Sequence, residues 1–133
     1  MSACTCTACG SSFALEELAN AHATCARCAP RVPPLRWGPF VLLQRLGRGG
    51  AGEVWHARDE QERDLALKIL RVDLASAGER FARETRAAQK IEHPLVARVL
   101  ASGMHEGRAY LAQERIDGRS LRFSLDGTPW PIP

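Results

Sequence analysis

The amino-acid sequence predicts an α+β fold: a five-stranded antiparallel sheet with one main helix, preceded by a small module built around cysteines. Three observations lead there. All five cysteines lie before residue 29, four of them in two C-x2-C pairs. From residue 40 onward, short runs of apolar residues alternate with polar ones, as half-buried strands do. Between the third and fourth of these runs the apolar spacing changes to the 3–4 rhythm of an amphipathic helix.

Each element follows from its residues. Cys6 and Cys9 form one pair, Cys25 and Cys28 the other, with fifteen residues between them. This spacing is that of a four-thiolate zinc site, each pair wrapping one side of a tetrahedral ion. Such a closed site is structural, because no position is left for water or substrate. Cys4 is a spare that competes with Cys6 for the ligand role, and free thiols or a redox pair are the alternative reading. Gly10 suits a tight turn with backbone N–H groups aimed at sulfur. Phe13, Leu15, Leu18 and Ala21 or His22 are expected along one face of a short helix. The module, residues 1–29, resembles a zinc ribbon. It carries no basic-aromatic surface, so nucleic-acid binding is not expected.

Pro30, Pro33 and Pro34 interrupt any helix or central strand, and residues 30–36 are expected to form a stiff linker. Strands are then expected at Phe40 to Leu46, Glu53 to Arg58 and Leu65 to Leu70. The segment between the first two, Leu46-Gly47-Arg48-Gly49-Gly50-Ala51-Gly52-Glu53-Val54, reads G-x-G-x-x-G-x-V. A dinucleotide-binding fold would start a helix inside this loop. Here a strand follows instead, so the glycines sit at a hairpin tip where bare backbone can approach phosphate oxygens.

A helix is expected from about Leu74 to Ile91, with Phe81, Glu84, Ala88 and Ile91 along one face. Glu84 then lies in an apolar stripe and needs a cationic partner; Glu79 falls off that face. His93-Pro94 ends the helix. Val96 to Ala101 and Arg108 to Glu114 complete a hairpin joined by Ser102 to Gly107.

From about Trp37 to Leu121 the chain resembles the bacterial relatives of eukaryotic serine/threonine protein kinases, in their amino-terminal lobe. Leu65-Ala66-Leu67-Lys68 corresponds to the kinase V-A-I-K strand, and His93-Pro94 to the kinase H-P. The resemblance implies a fold, the kinase small lobe over residues 37–121, and a ligand, ATP. Lys68 would pair with the nucleotide's phosphates and Glu84 would hold Lys68 in an ion pair. Gly47, Gly49, Gly50 and Gly52 would cover the phosphates; Leu46, Val54 and Ala66 would sandwich adenine. Gln113 would be the gatekeeper, with the backbone of Glu114 and Ile116 bonding the adenine edge. Lys68 and Lys90 are the only lysines among 18 basic residues, which marks Lys68 as a selected point charge. The arginine and alanine bias points to a bacterial source.

The 133 residues contain neither H-R-D-x-x-x-x-N nor D-F-G, so the general base and the Mg2+ ligands of a complete kinase are absent. Residues 122–133, with Gly127, Pro129, Pro131 and Pro133, are expected to be an irregular, truncated tail. The expectation is an ATP-binding lobe that grips nucleotide weakly and is inactive alone. Its lower face would be covered by a separate large lobe or another protein. The competing reading is a non-catalytic pseudokinase docking or regulatory module. Formal net charge is +3, too small to argue for nucleic acid. No leader and no apolar run long enough for a membrane helix is legible, and a cytoplasmic setting with reduced or metal-bound cysteines is expected.

Overall fold

The structure, a computed structural model, describes residues 3–15, 25, 27–28, 35–50, 52–70 and 75–118. Among these residues lie eight strands and one helix: β1 (Ala3–Cys6), β2 (Ser12–Ala14), β3 (Leu35–Trp37), β4 (Phe40–Gly49), β5 (Gly52–Arg58), β6 (Asp64–Leu70), α1 (Ala75–Ala88), β7 (Val99–His105) and β8 (Arg108–Glu114). All eight strands form one antiparallel sheet, in the order β2-β1-β3-β4-β5-β6-β8-β7. The last five strands of that order are the predicted five-stranded sheet.

Alternation decides which side chains enter the core. On β5, Trp55 and Ala57 face inward, and on β6 Leu65, Leu67 and Ile69 do so. Paired registers Trp55↔Leu67 and Ala57↔Leu65 keep them on one face. The same core takes in Trp37, Leu35 and Leu42, and also Cys4, Cys6, Leu15 and Cys25 from the cysteine module. The expected separation into module, linker and lobe therefore has a different physical form. Leu35 and Arg36, assigned to the linker, are strand residues of β3, which pairs with β1 on one side and β4 on the other; residues 30–34 lie outside the described residues.

The sheet curls until β3 and β4 meet the β7–β8 hairpin. Trp37 stands edge-on to His105 and Tyr110, with ring centroids 4.8 and 5.8 Å apart, and Phe40 packs on Tyr110 at 5.1 Å. A Cβ on Gly38, which sits at φ 55°, would stand 3.0 Å from the His105 ring.

Turn chemistry explains the hairpins. Asp59 accepts from the backbone N–H groups of Gln61 and Arg63, closing the turn between β5 and β6. Glu106 and Gly107 both have positive φ, the two-residue turn whose twist matches a hairpin. That short turn lets β7 run to His105, so most of the expected Ser102–Gly107 loop is strand. Phe13, expected on a helix, lies in β2 opposite Cys4; Leu18, Ala21 and His22 lie outside the described residues. No helix among the described residues is long and apolar enough to cross a membrane.

Candidate functional site

The glycine segment is the tip of the β4–β5 hairpin. Arg48 lies opposite Glu53 and Gly49 opposite Gly52. Glu53 is buried at the stem, where its carboxylate accepts from Trp55 Nε1 at 3.2 Å and lies 3.6 Å from Arg48 Nε. Sequence reading missed this anchor, although the alternation about Val54 already turns Glu53 to the opposite face.

The four glycines are of two kinds. A Cβ on Gly52 would collide with the Ile69 carbonyl on the neighbouring strand, so this glycine is demanded by the fold. Among the described residues, a Cβ on Gly47, Gly49 or Gly50 would meet nothing within 4 Å. Packing among those residues does not require glycine at these three positions.

Val54, Ala66 and Lys68 are half-buried on the face of the sheet opposite the core. Register places Lys68 between Val54 and Leu111, and Ala66 between His56 and Gln113. The structure thus brings Val54, Ala66, Lys68 and Gln113 onto one surface beside the glycine hairpin. Leu46 is half-exposed and Ile116 largely exposed. The Glu114 N–H donates to the Arg98 carbonyl at 2.8 Å, while Arg98 N–H donates to the Glu114 carboxylate at 3.2 Å. The backbone N–H of Glu114 is thereby already engaged.

Helix α1 differs from expectation in its rotation. Among the helix residues whose burial is described, Thr85 is the buried one, Phe81 and Ala88 are half-buried, and Glu84 and Glu79 are exposed. No ion pair joins Glu84 to Lys68 among the described residues. The physical reason is that a carboxylate avoids burial unless its cation is already in reach, and the small Thr85 can take the inward position instead. The helix ends on N–H bonds from Gln89, Lys90 and Ile91 to Thr85, Ala87 and Ala88. His93 then caps the following turn through its carbonyl and Nδ1. A polar cavity of about 380 Å³ lies beyond it, lined by Glu92, His93, Pro94, Val96, Arg98 and Glu114. Its existence depends on contacts between the post-helix turn and the end of β8, which no local pattern announces.

A second cluster sits at the other end of the sheet. The sulfurs of Cys6, Cys9, Cys25 and Cys28 all lie within 4.8 Å of one another, with Cys6–Cys28 at 3.9 Å and Cys9–Cys25 at 3.6 Å. Tetrahedral zinc–thiolate bonds of ~2.3 Å put sulfurs ~3.8 Å apart, so the donor set fits such an ion. Cys4 is not in the cluster; its side chain is fully buried in the apolar core. Burial, aided by the Glu106 and Glu53 carboxylates, pushes the Cys4 thiol up to about 12. Ser11 Oγ stands 3.1 Å from Cys9 Sγ and receives a bond from Arg27, and this hydroxyl is the main reason the Cys9 thiol falls to about 6. Gly10 lies in a turn at positive φ, but its N–H donates to the Cys6 carbonyl at 2.9 Å rather than to sulfur.

Comparison with known proteins agrees with this geometry. The family profile of protein tyrosine and serine/threonine kinases matches residues 40–129. The serine/threonine-protein kinase pkn2 of Myxococcus xanthus is 42% identical over 100 residues, covering 72% of this chain and 12% of pkn2. The serine/threonine-protein kinase PrkC of Bacillus subtilis is 33% identical over 89 residues, covering 64% of this chain and 14% of PrkC. Among solved structures, the Mycobacterium tuberculosis PknI kinase domain superposes with a TM-score of 0.59 at 26% identity, covering 72% of this chain and 40% of that domain. The chain spans less than a fifth of the length of these curated relatives. With the five-strand order, the glycine hairpin and Lys68 in register on one face, the chain belongs to the protein kinase family, in the region of its amino-terminal lobe.

Proposed function

We propose that this chain is the nucleotide-gripping lobe of a serine/threonine kinase, and that ATP lies on the face carrying Val54, Ala66 and Lys68. The observation that supports it most is the split among the glycines. Gly47, Gly49 and Gly50 stand over free space, so their lack of a side chain serves a ligand that approaches the backbone. Their N–H groups would donate to phosphate oxygens, and Lys68 would add a compact positive charge. Leu46, Val54 and Ala66 would enclose adenine, Gln113 would bound the pocket, and the Glu114 carbonyl and Ile116 backbone would bond its edge. Glu84 would pair with Lys68 only after α1 rotates inward, so the arrangement with Glu84 exposed is a resting one.

Magnesium and the general base belong to motifs these 133 residues do not contain, so this stretch alone transfers no phosphate. Leu95, Val96 and Ile116, all exposed, offer apolar surface on which a large lobe would close. The four clustered thiols would hold a structural zinc ion, whose chemistry is to fix chain geometry rather than to react. Five cysteines free of disulfides suit a reducing, cytoplasmic setting.

Calorimetric titration with ATP, with and without Mg2+, tests the nucleotide reading. Weak binding with little magnesium dependence, lowered about tenfold by Lys68→Ala, is expected. Equal affinity in the Lys68→Ala variant would refute the assignment.

A further inference from the structure

One row of cross-strand partners runs from β1 to β8. Cys6 lies opposite Leu35, Leu35 opposite Leu42, Leu42 opposite Ala57, Ala57 opposite Leu65, and Leu65 opposite Glu114. The row starts at a residue of the thiol cluster and ends at the residue expected to meet adenine. From Cys6 to Leu65 every member is at most 1% exposed. A second cluster thiol, Cys25, is fully buried in the same core as Trp55, Leu67 and Ile69.

The strands between cluster and lobe are short. Among the described residues, β1 meets β3 through only Thr5↔Arg36 and Cys6↔Leu35, and β3 has three residues. Strands of that length are marginal by themselves and need an outside constraint. Four protein–metal bonds supply one, because metal affinity in such a site is folding free energy. If β1 and β3 leave the sheet, the buried faces of Leu42, Trp55, Ala57 and Leu67 are opened to water, although none of these residues touches the metal.

From this continuity we infer that zinc bound by Cys6, Cys9, Cys25 and Cys28 controls the order of the nucleotide lobe, making nucleotide binding by this chain zinc-dependent. The inference rests on the metal and nucleotide readings above and adds their coupling. The cysteine module acts as one wall of the lobe, not as an appended domain.

Hydrogen exchange on the zinc-loaded 133-residue chain, before and after stripping zinc with a chelator, tests it. Stripping is expected to speed amide exchange at Leu65, Leu67 and Ile69 about 100-fold or more, and to weaken ATP binding in parallel. Cys9→Ser, which removes an exposed ligand without touching the core, is expected to reproduce the stripped state. Cys4→Ala, a core change outside the cluster, is expected to keep zinc and the chelator response. Faster exchange confined to residues 3–15 and 25–28, with β6 still protected, would overturn the coupling and leave the zinc site standing. A chain that takes up no zinc would remove both.

Discussion

The Ala3 N–H donates to the Glu106 carboxylate at 2.7 Å, joining residues 103 positions apart. Glu106 reaches it because the tight β7–β8 turn holds this residue at φ 46°, beside the first strand of the sheet. Above that bond, Trp37 wedges against His105 and Tyr110. The curl of the sheet is thus closed by this hydrogen bond together with the edge-on aromatic contacts of Trp37 and Phe40. Trp37→Ala is expected to cost about 3–5 kcal/mol in urea unfolding. Glu106→Ala should cost only about 1 kcal/mol, since its bond is exposed to solvent.

The two kinds of glycine respond differently to the same change. Gly52→Ala forces a methyl group into the Ile69 carbonyl at a φ of 154°, and a loss of at least about 2 kcal/mol in thermal unfolding is expected. Gly49→Ala meets open space, so stability should move by less than about 1 kcal/mol. Its effect should appear in ATP titrations as weakened binding. Equal stability losses in both variants would remove the distinction on which the phosphate assignment leans.

Glu84 is exposed and makes no ion pair with Lys68 among the described residues. Glu84→Gln is therefore expected to change the stability of the nucleotide-free chain by less than about 0.5 kcal/mol. A loss of several kcal/mol in denaturant unfolding would show that the pair is already formed without nucleotide.

Asp64 accepts from His56 Nε2 at 2.8 Å and from Arg58 Nε at 3.2 Å. These partners, His56 first, hold its carboxyl below the ordinary aspartate value. A carboxylate lowered on folding adds stability above its unfolded value, and that contribution fades as pH falls through the lower folded value. Carbon-detected NMR titration should find the Asp64 midpoint below that of an unstructured aspartate, and His56→Ala should raise it.

Elements governed by local rules were readable from the chain. The C-x2-C pairs named the four clustered thiols, and alternation located β5, β6 and β8. These succeed because thiolate spacing and the two-residue repeat of a strand are set by neighbours in sequence. Tertiary structure decided the rest. Spacing favoured Cys6 over Cys4 as a ligand without excluding Cys4, and only the tertiary structure buried Cys4 in the core outside the cluster. Glu84 and Thr85 are adjacent, and a rotation of one residue on α1 chose which faced inward. Leu35 and Arg36 read as the end of a proline-rich connector, yet they pair with strands on both sides. Which strands meet across a sheet depends on burial shared by residues far apart in the chain, and no window of sequence contains that energy.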